Sequence, residues 1–203
     1  MLRLSALFAC IGLATASACG QALPNVRDGD VIFQTSRSSQ SVAIQRAMHS
    51  RYSHMGIVFL RKGEPFVFEA SATVRYTPLD KWVARGQDGK SVVKRLSSDL
   101  TPTQVERLRV AARAFAGRPY DLTFEWSDSR IYCSELVWKV YDRALGIHIG
   151  ELQRLRDFDL SDAAVRAKMK ERYGDAVPFD EPVISPAAMF DSPALVLVPR
   201  AGT

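Results

Sequence analysis

The sequence predicts an α+β domain with an antiparallel sheet, and the order of its segments carries that prediction. Short apolar runs typical of strands cluster between residues 31 and 96, whereas most segments with helical spacing and capping residues follow residue 101. Strands and helices that are separated along the chain favour an α+β fold over alternating α/β units. The 203 residues, 47% hydrophobic and 24% charged, fit one globular domain with a sizeable core.

The predicted strands are short apolar runs bounded by turn residues. An Asp-Gly turn precedes a buried strand at residues 31–33. The stretch "HMGIVFLRKGEPFVFEA" predicts a hairpin, for which we expect a two-residue loop at Arg61-Lys62 that pairs Leu60 with Gly63. Further strands are predicted in "SVVKRL" and "ALVLVP".

The predicted helices are marked by their ends. In "SSQSVAIQRAMHS", Ser38 or Ser39 is expected to cap a helix with Val42 among its apolar positions. A short helix is predicted over residues 77–82. Thr101 precedes the most clearly punctuated helix, which has proline at its first position and glutamine completing a capping box.

The later helices follow the same punctuation. "YCSELVWKVYDRALG" predicts an amphipathic helix from Cys133 to Gly146. "LSDAAVRAKMKERYG" predicts another, capped by Ser161 and ended by Gly174, and Ser185 begins one more turn.

The N-terminus is typical of a secretory signal peptide, predicted over residues 1–18. A basic start at Arg3, an apolar run over residues 4–14 and a small-residue site at residues 16–18 support this interpretation. The apolar run is too short to span a bilayer as a helix. We therefore predict a single mature domain over residues 19–203, exported to the periplasm.

The cysteines have no pairing pattern of the kind that predicts a disulfide framework. Cys10 would leave with the signal peptide, and Cys19 would begin the mature chain. Plain secretion is favoured because Ala16 stands where a lipoprotein signal would have leucine, but a lipid anchor at Cys19 stays open. Cys133 is then expected to be a free thiol.

Charge and composition exclude several classes of partner. The net charge of +5 falls to about +4 when Arg3 is removed, and it is scattered along the chain. This balance favours binding to anionic surfaces such as cell-wall polymer or lipid head groups. The sequence has no basic stripe of the kind that would indicate nucleic-acid binding. Because the three histidines and the few cysteines lack zinc spacing, we expect no metal and no cofactor.

A lone cysteine in an exported chain suggests a working thiol. At a helix N-terminus Cys133 faces unpaired N–H groups and the positive end of the helix dipole, which favour the thiolate. The competing interpretation is a small buried hydrophobic residue.

His54 begins an apolar strand, and the expected hairpin register places Glu69 directly opposite it, with Gly56 leaving room beside the ring. A structural ion pair between these two side chains is the alternative.

Together these residues predict a Cys133–His54–Glu69 triad of nucleophile, base and orienting carboxylate. The backbone N–H of Cys133 is a natural oxyanion donor. We predict substrate contacts from side chains in the surrounding polar and aromatic motifs, namely Gln34, Ser36, Gln40, Tyr120 and Tyr132.

The motifs "GDVIFQTSRSSQSVAIQRA", "YSHMGIVF", "TPLDKWVARG", "GRPYD" and "YCSELVWKVY" resemble, in this order, the YiiX/YebB-like permuted papain-like hydrolases of the NlpC superfamily. The resemblance implies a circularly permuted papain-like fold, in which an antiparallel, barrel-like sheet packs against the nucleophile helix and further helices. It places the catalytic positions on Cys133, His54 and Glu69. It also implies an amidase-like cysteine hydrolase, acting on a cell-wall peptide or an acyl amide.

Two alternatives stay open. The related lecithin:retinol acyltransferase-like proteins suggest a lipid acyl hydrolase or acyltransferase, which would need an apolar channel. A peptide substrate would instead need polar contacts. A binding domain that uses the cleft without turnover is the non-catalytic alternative.

Overall fold

The computed structural model describes residues 25–199 and confirms the α+β class with an antiparallel sheet. The predicted signal peptide, Cys10 and Cys19 lie outside the described residues. The strands are β1 (Val31–Gln34), β2 (His54–Arg61), β3 (Glu64–Ala70), β4 (Val74–Pro78), β5 (Val92–Leu96), β6 (Gln153–Arg154), β7 (Pro182–Val183) and β8 (Leu195–Leu197). The helices are α1 (Ser39–Met48), α2 (Leu79–Arg85), α3 (Pro102–Arg113), α4 (Cys133–Leu145), α5 (Ala163–Tyr173) and α6 (Pro186–Phe190).

Within residues 25–199, six strands form one sheet in the order β4-β3-β2-β1-β5-β8, and every neighbouring pair is antiparallel. Strands β6 and β7 form a separate two-stranded ribbon. Among the helices of the described segment, none is both long enough and apolar enough to cross a membrane.

The main sheet is buried on both faces, because residues that alternate along β2 enter two different clusters. Met55, Ile57 and Phe59 pack in the larger cluster, which includes apolar side chains of α3 and α4. Val58 points to the other face and packs with Trp82 of α2. The alternation along β2 is therefore as predicted. Helices α4 and α2 lie on opposite faces of this strand, which begins with His54.

The predicted register of the hairpin is wrong by two residues. Arg61 pairs with Glu64, so the turn residues are Lys62 and Gly63, both of which have positive φ. The observed turn lies one residue later than the predicted loop and therefore contains Gly63, and glycine adopts a positive φ easily. His54 is therefore not directly opposite Glu69.

The observed register explains why residue 56 is a glycine. Continued to the end of the ladder, it places Gly56 opposite Glu69, so His54 is a diagonal neighbour of that carboxylate. A Cβ atom built on Gly56 would lie 2.5 Å from Val67 Cγ1 and 2.7 Å from the Phe68 carbonyl oxygen. Glycine at this position lets strands β2 and β3 approach closely, and it leaves the space through which the imidazole and the carboxylate meet.

One helix cap and one expected apolar position differ from the predictions. Asp162 caps α5, its carboxylate accepting a hydrogen bond from the Ala164 N–H at 2.8 Å, so the prediction of Ser161 as cap is wrong. Val42 on α1 is exposed, because the helix turns its neighbours Ala43 and Ile44 towards the interior instead. In contrast, the capping box of α3 is present as predicted.

The region around residues 74–85 also differs from the prediction. Strand β4, which the sequence reasoning missed, occupies residues predicted to begin a helix, and α2 starts only after Pro78. The added strand places the Thr77 side chain beside β3, and Trp82 of the following helix α2 packs on the face of the sheet that carries Val58.

Candidate active site

Helix α4 presents Cys133 at its first turn. Among residues 25–199, Cys133 is a free thiol, and it is 3% exposed. Two hydrogen bonds anchor this end of the helix to Ile184, the residue after β7. Ser134 Oγ donates to the Ile184 carbonyl at 2.8 Å, and the Ile184 N–H donates to Tyr132 Oη at 3.1 Å. The sulfur is thus held at a fixed helix N-terminus, where first-turn N–H groups lack helical partners.

His54 joins the two other predicted members of the triad. Its Nε2 lies 2.7 Å from Glu69 Oε2, and Cys133 lies near enough to the ring to raise the pKa of His54. Since Nε2 is engaged by the carboxylate, Nδ1 is the nitrogen left for the sulfur. The imidazole stacks on Trp82 with ring centroids 5.8 Å apart. The structure therefore brings together the three side chains that the sequence reasoning grouped.

Glu69 is fully buried and is surrounded by donors that sequence reasoning missed. Thr77 Oγ1 donates at 2.6 Å, Trp82 Nε1 at 3.0 Å and an Arg85 guanidinium nitrogen at 2.5 Å. A buried carboxylate is costly unless it is hydrogen-bonded and paired, and these contacts meet both conditions. The signal for this arrangement was the spacing of Trp82 and Arg85, which are three residues apart and share one face of α2.

The surroundings strongly shift the pKa values of His54 and Glu69. Burial by itself would lower the pKa of His54, but hydrogen bonds and negative charge from Cys133 and Glu69 outweigh it and raise the pKa to about 9. Burial by itself would raise the pKa of Glu69, but His54, Thr77 and the Arg85 charge lower it to about 2. At neutral pH the site therefore favours a protonated His54 paired with an ionised Glu69.

The other histidines lie elsewhere. His49 is exposed and forms an ion pair with Asp159 at 3.2 Å. His148 is bonded to Asp142 at 2.8 Å and stacks on Trp138, beyond the C-terminal end of α4.

Tyr120 reaches the site because its segment runs beside the residues that precede α4. The Ile131 N–H donates to the Pro119 carbonyl at 3.1 Å, and Tyr120 and Ile131 form a parallel bridge. The Tyr120 hydroxyl accepts a hydrogen bond from Gln40 Nε2 at 3.3 Å. Burial and the nearby Cys133 raise the pKa of Tyr120 far above its ordinary value, so the phenol keeps its proton.

Two spaces meet at Tyr120 and Gln40, which line both of them. One is a cleft that is open to solvent and has several polar side chains in its lining, among them His54 and the predicted substrate contacts Gln34 and Ser36. The other is an apolar cavity that includes Cys133.

Two of the predicted substrate contacts, Tyr132 and Gln34, are buried. Tyr132 lines the apolar cavity rather than the cleft, because its hydroxyl is bonded to the backbone of Ile184. Gln34 is 2% exposed, and its Oε1 has no hydrogen-bond partner among the described residues.

Comparisons with known proteins agree with this architecture. Residues 25–199 match the model of a family described as permuted papain-like amidase enzymes, YaeF/YiiX, C92. The chain is 53% identical over 172 residues to the uncharacterized protein YiiX of Escherichia coli (strain K12), covering 85% of each protein. It also resembles the crystal structure of YiiX from Escherichia coli O157:H7, with a TM-score of 0.84, 53% identity, and coverage of 86% of this chain and 97% of that one.

That crystal structure is described as one of a metalloprotein. Within residues 25–199 of the present chain, no three His, Cys, Asp or Glu side chains are grouped so that they could hold a metal ion. The family match covers most of the chain and supports an activity of the cysteine-hydrolase type. This chain is therefore a member of the permuted papain-like amidase family C92.

Proposed function

We propose that the protein is a cysteine amidase that cleaves an acyl–nitrogen bond through a thioester on Cys133. The observation that carries this proposal is the single imidazole that is paired with Glu69 at 2.7 Å and lies near enough to Cys133 for that side chain to raise its pKa. Nucleophilic cysteine catalysis requires such a chain of sulfur, base and orienting group.

The chemistry divides into two half-reactions. His54 holds the proton given up by Cys133, and the sulfur attacks the carbonyl carbon while the carbonyl π electrons move to oxygen. When that intermediate collapses, the C–N bond breaks and His54 gives the proton to the leaving nitrogen. A water then attacks the thioester, gives one proton to His54 and releases the acid, so that the Cys133 sulfur and the protonated His54 are as they began.

The developing oxyanion needs donors that are already in place. The backbone N–H of Cys133 lies at the N-terminus of α4, where it has no helical partner. We assign the Tyr120 hydroxyl as the second donor. Its oxygen accepts from Gln40, which leaves its own proton free to donate.

The cleft that is open to solvent is the proposed site for the leaving group, with Gln34, Ser36 and Gln40 as contacts. We propose that the protein acts after export, in the periplasm, on a cell-wall peptide or an acyl amide.

The pH profile of amide cleavage tests this function. Below pH 9 His54 is protonated and can give its proton to the leaving nitrogen, so kcat/KM for an acyl 4-nitroanilide should fall about tenfold per pH unit above about 9. The matching 4-nitrophenyl ester should fall less, because its leaving group departs without a proton. A profile that keeps rising to pH 10 for the anilide would contradict the assignment of His54.

A further inference from the structure

The cleft that is open to solvent is lined by positive charge and by no carboxylate of the described residues. Two arginines, Arg37 and Arg85, are part of its lining, and no aspartate or glutamate within residues 25–199 is. His54 lines the same cleft, and its raised pKa keeps it protonated at neutral pH. The charge of the lining therefore favours an anionic ligand over a neutral or cationic one.

The carboxylate that lies behind this cleft does not cancel its charge. Glu69 is fully buried and pairs with both His54, at 2.7 Å, and Arg85, at 2.5 Å. One negative charge thus balances two positive charges. Arg37 adds a third positive charge, because it is exposed and forms no ion pair or hydrogen bond with another described side chain.

The fold brings the two arginines together from different parts of the chain. Ser36 and Gly86 form an antiparallel bridge, and Arg37 and Arg85 are the chain neighbours of these two residues. Like charges on paired segments repel each other. An anion bound between the two guanidinium groups would replace this repulsion with attraction.

The backbone on both sides of Arg37 is fixed before any ligand binds. The Ser36 N–H donates to Ser53 Oγ at 2.9 Å, and the Ser38 N–H donates to Ser36 Oγ at 3.1 Å. Since the segment is already ordered, binding through Arg37 would cost the entropy of one side chain and not that of a loop.

We propose that the leaving group of the substrate carries an anion, a carboxylate or a phosphate, which Arg37 and Arg85 bind in this cleft. The inference rests on the proposed function and names the chemical class of its leaving amine. Guanidinium groups match the geometry of both oxyanions through paired N–H donors. Arg37 is then a specificity-determining residue, and the anion lies on the opposite side of Tyr120 and Gln40 from the apolar cavity.

Four acetyl amides that differ only at the end of a two-carbon leaving amine test the proposal. They are N-acetyl-β-alanine, N-acetylethanolamine phosphate, N-acetylethanolamine and N-acetylethylenediamine, with the released amine measured by mass spectrometry. We expect kcat/KM for one or both anionic amides to exceed that for neutral N-acetylethanolamine about tenfold or more, as is typical of a hydrogen bond to a charged group. The faster of the two anionic amides identifies the anion as carboxylate or phosphate.

Arg37→Gln should lower the anionic-to-neutral ratio about tenfold or more. Arg46→Gln is the matched control, because Arg46 is exposed in the last turn of α1 and lines neither space, and it should keep the ratio. Equal rates for the four amides, or a preference for the cationic one, would overturn the anion proposal and leave the cysteine amidase standing. A preference for anions that survives in Arg37→Gln would contradict the assignment of Arg37.

Binding separates the two proposals if the unmodified protein cleaves none of the four amides. In NMR titrations, Cys133→Ala should bind N-acetyl-β-alanine or N-acetylethanolamine phosphate about tenfold or more tightly than N-acetylethanolamine. Adding Arg37→Gln should remove the difference. Such binding without turnover would support the anion site and contradict the amidase, whereas equal binding of the charged and neutral amides would overturn the anion site.

Discussion

Cys133→Ser is expected to lower kcat for an acyl amide by roughly 1,000-fold or more. The serine oxygen holds its proton far more tightly than sulfur does, and the site is arranged around a thiolate–imidazolium pair. His54→Ala should cause a loss of similar size, and the two changes together should cost little more than either alone, because they act as one unit.

His148→Ala is the matched control for the histidine variant. His148 is exposed, bonded to Asp142 and stacked on Trp138, away from the sulfur. Steady-state kinetics on an acyl 4-nitroanilide should show unchanged kcat for this control. Activity that persists in Cys133→Ser would remove the thiol mechanism, and a histidine control as inactive as His54→Ala would remove the assignment of the base.

Glu69→Gln is expected to lower kcat by about 100- to 10,000-fold. The carboxylate accepts hydrogen bonds from Thr77, Trp82 and Arg85 as well as from His54. The amide group of glutamine would turn one acceptor into a donor that faces other donors, and it would leave Arg85 without its counter-charge. The same change should destabilise the fold by roughly 2–3 kcal/mol, since a fully buried acceptor is lost.

The pH profile separates a role at the site from general destabilisation. Since Glu69 helps to raise the pKa of His54, the fall of activity at high pH should begin at a lower pH in Glu69→Gln. Glu64→Gln, at the exposed start of the same strand, should leave both kcat and the profile unchanged. If Glu69→Gln lost only stability and kept its kcat and profile, the carboxylate would be a structural partner alone.

The three candidate triad residues could be found from the sequence because each has a strong local cause. Cys133 could be picked out because it begins an amphipathic helix. His54 and Glu69 could be grouped because a hairpin brings both onto one face of the sheet. The grouping survived the wrong register because Gly56 has no side chain, so the carboxylate reaches the ring diagonally. A register error of two residues keeps side chains on the same face, whereas an error of one would have separated them.

The surroundings of the site could not be found in the same way, because they depend on packing between distant segments. Thr77 meets Glu69 only because β4 pairs with β3, and proline at residue 78 made this segment resemble the start of a helix. The apolar cavity arises where α1, α5 and the start of α4 meet. Val165 and Ile44 each look like ordinary core residues in the sequence, and the space between them is a property of the fold.

Direct observation of the acyl-enzyme is the decisive measurement. The protein is mixed with 4-nitrophenyl acetate, quenched with acid before one turnover is complete, and examined by intact mass and peptide mapping. We predict a single acetyl group on Cys133, formed at a rate that matches the release of 4-nitrophenol. Product release with no adduct on that sulfur, or with the acetyl group on another side chain, would contradict it.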